Sequence, residues 1–135
     1  MNMADKYGME FEHDYFDYQY WEYIDLTKNI LTPKDVRVSM NVLIEDIDVD
    51  YVDNGYYYDD CDHAYEVEDV HAYPNTPILQ IDEEDVDEDV FMEFTGIDKK
   101  ELKELMKFVE KIAKESCENY IEDNWSDIAE DFIDY

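Results

Sequence analysis

The sequence predicts an α+β fold in which an antiparallel sheet of about three to four strands packs against one or two C-terminal α-helices. Apolar and polar residues alternate from residue 36, a turn signal follows near residue 54, and apolar residues recur at helical spacing after residue 98. Apolar residues form 45% of the 135 residues, enough to bury one core. We therefore expect a single domain spanning residues 1–135.

The first predicted strand covers residues 36–44. Its alternating apolar positions are Val36, Val38, Met40, Val42 and Ile44. After residues 45–46 the apolar positions change parity, which predicts a β-bulge or bend. Beyond this point Asp46, Asp48 and Asp50 are expected to share the opposite face.

A hairpin is predicted next, with Asp53-Asn54-Gly55 as its turn and residues 56–73 as the returning strand. This strand is expected to carry Cys61, His63, Tyr65, Val67 and His71 on one face and Asp60, Asp62, Glu66 and Glu68 on the other. Residues 78–81 form a short third strand, and an acidic run follows at residues 82–89. Residues 36–94 are assigned to an acidic β-sheet region.

The two ends of the chain differ in how clearly they can be interpreted. Residues 1–35 are rich in aromatic residues that fit neither period, and we expect these to pack on the sheet. Residues 98–133 form the helical region: Asp98 and Glu101 make a capping box, and Ile97 and Leu102 are placed to pack across the helix start. A break is expected near residues 124–126.

The charge is extreme and unevenly distributed. The formal net charge is −29, and the 61 residues between Arg37 and Lys99 contain 20 Asp or Glu but no Lys or Arg. Residues 1–98 carry a net charge of −24 (28 acids, four bases), and residues 99–135 carry −5 (11 acids, six bases). A surface that served only solubility would have no reason to exclude every cation over 61 residues, because mixed signs repel less.

No catalytic motif or cofactor site is recognisable, so neither an enzyme nor a cofactor is expected. With three Gly in the chain, a phosphate-binding loop is nearly excluded. Asp46-x-Asp48-x-Asp50 begins like a calcium loop, but Tyr51 stands where such a loop needs Gly. Cys61, His63 and His71 are expected to be core residues, and no metal ligand is assigned, although a structural metal stays open.

The predicted acidic hairpin is the candidate functional feature. Carboxylates at alternate positions of a strand lie roughly 6.6 Å apart, a spacing comparable to that of successive phosphates in a nucleic acid. Like charges across strands destabilise a sheet, so their accumulation indicates a use. The candidate partner-binding residues are Asp46, Asp48, Asp50, Asp53, Asp59, Asp60, Asp62, Glu66, Glu68, Asp82, Glu83, Glu84, Asp85, Asp87, Glu88 and Asp89, with Tyr56, Tyr57 and Tyr58 as anchors at the hairpin tip.

Small size, extreme acidity, many tyrosines and scattered Asp and Glu resemble the DNA-mimic inhibitors of phages and other mobile elements, the anti-restriction and anti-CRISPR proteins. Residues 62–66 (DHAYE) and 125–135 are similar to segments of an anti-restriction member of this class. Such proteins share a surface rather than a motif, so the resemblance assigns no residue by position. It implies a basic nucleic-acid-binding partner: a Cas effector, a restriction-modification enzyme or another DNA-binding host factor.

Three other interpretations stay open. The acids can form a plain solvated surface, or the chain can be an acidic chaperone or antitoxin-like partner of a basic protein, or, less favoured, a calcium-binding module. Direct binding to nucleic acid or to an anionic membrane is not expected, because like charges repel. Residues 1–7 do not lead into an apolar run, so a cytoplasmic location in an infected bacterial host is expected. A homodimer is left open.

Overall fold

The computed structural model describes residues 3–16, 18–30, 36–56 and 63–132, which form two antiparallel sheets and four α-helices. In chain order the elements are α1 Met3–Tyr7, β1 Glu10–Phe16, β2 Gln19–Asp25, β3 Val38–Ile44, β4 Asp46–Tyr56, β5 His63–Tyr73, β6 Ile78–Ile81, β7 Glu84–Val86, α2 Glu88–Thr95, α3 Lys99–Asp123 and α4 Trp125–Phe132. The predicted α+β class is confirmed.

The larger sheet has five antiparallel strands in the order β1-β2-β3-β6-β7. In β3 the residues Val38, Met40, Val42 and Ile44 are fully buried, whereas the alternate residues between them are half-buried. The predicted alternation is thus confirmed, although the strand starts at Val38 rather than at Val36. One face of the sheet lies on the core, and the other is more open to solvent.

The smaller sheet is a two-stranded ribbon of β4 and β5, which we call the acidic ribbon. Glu45 separates β3 from β4, so the predicted change of parity marks the point where the chain leaves one sheet and enters the other. Hydrogen bonds connect the ribbon to β3 at its base and to α3 along its side. The Asn75 backbone N–H donates to the Leu43 carbonyl at 2.9 Å, and the Ala72 N–H donates to Glu118 Oε2 on α3 at 3.1 Å.

The helices close the core. Along α3 the buried residues are Leu102, Leu105, Val109, Ala113, Cys117 and Ile121, at the predicted helical spacing. The expected break occurs at Asn124, which separates α3 from α4. Phe91 brings the short helix α2 into the same core and is fully buried. None of the described helices is long and apolar enough to cross a membrane.

Several boundaries differ from the sequence-based predictions. The described residues contain seven strands rather than three to four, because residues 10–25 form β1 and β2 and residues 84–86 add the edge strand β7. Residues 88–95, assigned above to the β-sheet region, form α2. Asp87 caps this helix by accepting from the Val90 N–H at 2.9 Å, a cue hidden within the acidic run.

The predicted hairpin turn is wrong. Asp53, Asn54 and Gly55 lie inside β4, which continues to Tyr56, and Tyr56 pairs with His63. The returning strand accordingly starts at His63 and not at residue 56. An irregular register between Asp53 and Tyr56 shows why the local turn signal misleads: the Asn-Gly pair falls at a distortion of the ladder rather than at its end.

The start of α3 depends on Asp98, whose side chain accepts a hydrogen bond from the Glu101 N–H at 2.8 Å. We expect Asp98→Ala to lower the free energy of unfolding by about 1 kcal/mol, because the helix loses its N-cap. Asp98→Asn keeps the acceptor and should cost less than half as much. Urea unfolding followed by circular dichroism measures both, and equal losses would contradict a capping role.

Candidate functional site

The outer face of β4 carries a row of carboxylates. Asp46, Asp48 and Asp50 are exposed, whereas Ile47 and Val49 between them are half-buried and pack against the core. The period of two that places the apolar residues inward therefore places the three carboxylates outward, roughly 6.6 Å apart. The prediction that these three side chains share one face of the strand is therefore confirmed.

The facing strand β5 differs from its prediction because it contains a bulge. Asp50 pairs with Asp69 and Tyr51 pairs with Val67, so Glu68 is an extra residue in the ladder. This shifts the face of every later residue in β5. His71 was predicted to share a face with Val67. Instead it lies opposite Asp48 on the acidic face and is only half-buried.

Asp50, Asp69 and His71 form a compact cluster on this face. His71 Nε2 lies 3.1 Å from Asp69 Oδ2 and 3.5 Å from Asp50 Oδ2. One ligand atom from each residue falls within 4.8 Å of the others, a donor set that a divalent metal can take. The contacts of His71 Nε2 with the two carboxylates account for the arrangement, and we assign no metal.

Among the described cysteine and histidine residues, Cys117 and His71 lie in different environments. Cys117 is fully buried in α3, and desolvation raises the pKa of its thiol to about 12. His71, by contrast, lies on the outer face of the ribbon. Cys61 lies outside the described residues, and the structure describes only the backbone of His63.

The remaining candidates of the hairpin divide into three groups. Glu66 and Glu68 are exposed on β5 and extend the acidic face. Asp53 and Tyr56 belong to β4, and the structure describes only their backbone. Tyr57, Tyr58, Asp59, Asp60 and Asp62 lie outside the described residues, so the proposed tip anchors stay predictions.

The acidic run at residues 82–89 begins with a turn at the other end of the sheet, and β7 then returns antiparallel to β6, so that residues 87–89 lie back toward the Ile78 end. Strand β6 pairs antiparallel with β3, so it carries the chain from the side of Ile44, where the ribbon begins, to the side of Val38. There Asp82 and Glu83 form a tight turn with positive φ angles of 52° and 67°. The acids of this run are all exposed: Asp82, Glu83, Glu84, Asp85, Asp87, Glu88 and Asp89. The turn and the ribbon therefore do not form one continuous surface.

One carboxyl group is buried in the interior. Glu22 faces α3 and is 3% exposed; desolvation raises the pKa of its carboxyl to about 7, although hydrogen bonds with Ser116 and Tyr20 lower it. No residue in the described part of the chain forms a hydrogen bond with the Oε2 atom of Glu22. Burial likewise holds the pKa of the neighbouring Tyr20 hydroxyl above its usual range. This group belongs to the core and not to the acidic face.

Asp69 and His71 also lie on the acidic face, although Asp69 was not among the predicted partner-binding residues and His71 was expected in the core. The available signal was the pair of consecutive acids Glu68-Asp69 within an otherwise alternating strand, which is where a bulge restores the inward position of Val70.

No family model matches the chain, and neither the search of curated proteins nor that of solved structures found a match.

Proposed function

We propose that this chain is an acidic DNA mimic that binds and blocks the basic nucleic-acid-binding cleft of a host-defence protein, as anti-restriction and anti-CRISPR inhibitors do. The observation that carries the proposal is the exposed row of Asp46, Asp48 and Asp50 within a 61-residue segment free of Lys and Arg. A partner that has evolved cations to neutralise phosphates would accept such a row.

The spacing of the two strands indicates which part of a nucleic acid the acidic ribbon imitates. The two strands of the acidic ribbon are about 4.8 Å apart, far less than the roughly 12 Å width of the major groove of DNA. The carboxylates of β4 and β5 therefore form one strip, and they imitate a single phosphate backbone rather than both backbones of a duplex. The expected binding site is a groove that tracks one strand of nucleic acid.

The ribbon is well suited to such a role because its charge is held in place. Ile47 and Val49 anchor β4 on the core, and the Glu118 contact ties β5 to α3. A rigid array loses less conformational entropy on binding than a flexible acidic tail would. Binding should be fast and should weaken steeply with salt, because the attraction acts over about one Debye length.

Two variants of equal net charge test the proposal. The ribbon variant neutralises five exposed acids: Asp46→Asn, Asp48→Asn, Asp50→Asn, Glu66→Gln and Glu68→Gln. The helix variant neutralises five exposed acids elsewhere: Glu93→Gln, Glu104→Gln, Glu115→Gln, Glu122→Gln and Asp123→Asn. The charge changes from −29 to −24 in both, since −29 plus five is −24.

Tagged wild-type protein and both variants are used to capture proteins from a bacterial lysate at low salt. We expect the wild type to retain a DNA-binding protein that an oligonucleotide displaces, with affinity about tenfold lower for the ribbon variant and nearly unchanged for the helix variant. Equal losses of affinity in both variants would contradict the proposal and would indicate that the acids form only a solvated surface. A captured protein that still binds DNA in the complex would favour the acidic chaperone instead.

A further inference from the structure

The more open face of the five-stranded sheet contains a cavity that the acidic ribbon does not contribute to. It has a volume of about 400 Å³ and lies over β1, β2, β3 and β6. This is within the usual range of ligand pockets in proteins. Because the buried residues of β3 point to the helices, the cavity is formed by the alternate residues, among them Ser39 and Asn41.

Carboxylates surround this cavity. Among the described residues that line it, four are acidic and one is basic, Arg37, which together carry a net charge of −3. Glu10 lies directly opposite Asp25 in the β1–β2 ladder, an arrangement of like charges that weakens strand pairing. Arg37 offsets this only in part: its Nη1 is 3.9 Å from Asp25 Oδ2 and its side chain is 72% exposed. The cavity thus favours a further cation.

One aromatic side chain, Tyr23, forms part of the wall. Tyr23 lines the cavity and is 37% exposed, and its ring stacks on that of Trp21 with centroids 6.2 Å apart and an angle of 9° between the planes. Glu12 pairs with Tyr23 across the strands. A flat cation placed on the Tyr23 ring would therefore meet both an aromatic face and a carboxylate.

Two of the lining side chains are amides that belong to one hydrogen-bonded network. Asn41 Nδ2 donates to Gln80 Oε1 at 2.9 Å, and Gln80 Nε2 donates to Asp85 Oδ1 at 2.7 Å. These bonds link β3, β6 and β7 and hold the polar groups in fixed orientations. A ligand would encounter a site that is already organised, which reduces the entropic cost of binding.

We infer that this cavity binds the guanidinium group of an arginine presented by a partner protein. Arginine fits better than lysine because its planar group stacks on aromatic rings and forms paired hydrogen bonds with carboxylates. Charge complementarity argues for a basic segment as the occupant, and Glu10, Glu12 and Glu83 at the cavity provide its anionic contacts. This site is separate from the acidic ribbon, so the inference does not rest on the proposed function.

The test is a titration followed by ¹H–¹⁵N NMR at 50 mM salt with the peptide acetyl-Gly-Arg-Gly-Arg-Gly-amide. Peptides with lysine or with the neutral isostere citrulline in place of arginine serve as comparators. Glu10→Gln with Glu12→Gln is the cavity variant, and Asp46→Asn with Asp48→Asn is the ribbon control of equal charge. Tyr23→Leu removes the aromatic wall without changing charge.

We expect the largest amide shifts at Tyr23, Ser39, Asn41 and Gln80, with the arginine peptide binding about threefold more tightly than the lysine peptide and the citrulline peptide not binding. The cavity variant and Tyr23→Leu should each weaken binding about fivefold, and the ribbon control less than twofold. Shifts centred on residues 46–50, or equal weakening by the cavity variant and the ribbon control, would overturn the inference. Since the peptide experiment needs no partner from a lysate, its result is independent of DNA mimicry.

Discussion

Replacing Glu22 with Gln is expected to raise the free energy of unfolding by about 3 kcal/mol at pH 8 and by little at pH 4.5. The Glu22 carboxyl is 3% exposed, and its pKa rises from 4.5 to about 7 in the folded chain because burial disfavours the charged form. Gln keeps the shape of the side chain and an acceptor for Ser116 and Tyr20 but carries no charge. The effect of the substitution should therefore grow with pH.

The sign of this pH dependence follows from the difference in proton binding between the folded and unfolded states. Between pH 4.5 and 7 the folded Glu22 holds a proton that the unfolded chain has released, so stability falls as pH rises through this window. Above pH 7 both states are ionised and the loss is complete. In Glu22→Gln this contribution to the pH dependence should disappear.

Urea unfolding at several pH values between 4.5 and 8 measures the effect. The matched control is Glu115→Gln, which removes one charge from an exposed position of α3. Both variants reduce the general repulsion of a chain with net charge −29, so only the difference between them reports on Glu22. Equal stabilisation by the two substitutions at every pH would contradict the predicted cost of burying this carboxylate.

Replacing Phe91 with Ala is expected to lower the free energy of unfolding by about 3–5 kcal/mol. The ring is fully buried, and α2 has eight residues, too few for a stable helix without tertiary packing. This loss is a large part of the roughly 5–15 kcal/mol that stabilises a typical domain. We expect the α2 amides to lose protection from hydrogen exchange well before those of α3.

Val90→Ala is the matched control, because Val90 is in the same helix but 46% exposed. It should cost less than about 1 kcal/mol. Urea unfolding combined with hydrogen exchange distinguishes the two substitutions. If Val90→Ala and Phe91→Ala shift the midpoint equally, α2 is not held to the core by Phe91.

The candidate surface was partly predictable from residues alone. The alternation of Asp46, Asp48 and Asp50 with Ile47 and Val49 follows directly from the period of a strand with one buried face, so their outward position needed no structure. The opposite strand was not predictable in the same way. A bulge at Glu68 changes the facing of His71; the consecutive acids Glu68-Asp69 indicate an irregularity there, but the pairing of the two strands is needed to show that it is a bulge.

What the sequence determined by itself is local: the α+β class, the strand that ends at Ile44, the change of parity at Glu45, and the capped helix that begins after Asp98. Each depends on a period or a cap that is complete within about ten neighbouring residues. The uneven distribution of charge is also fixed by the sequence alone, because no fold can supply a Lys or Arg to the 61 residues that lack one.

Only the tertiary structure decided that residues 10–25 join the main sheet, that the Asn54-Gly55 pair lies inside a strand, and that the Asp82–Glu83 turn is at the far end from the acidic ribbon. Strand pairing and sheet order depend on contacts between residues distant in sequence, which override local turn and aromatic signals. The cavity around Tyr23 arises in the same way, because four strands separated along the chain must come together before its walls exist.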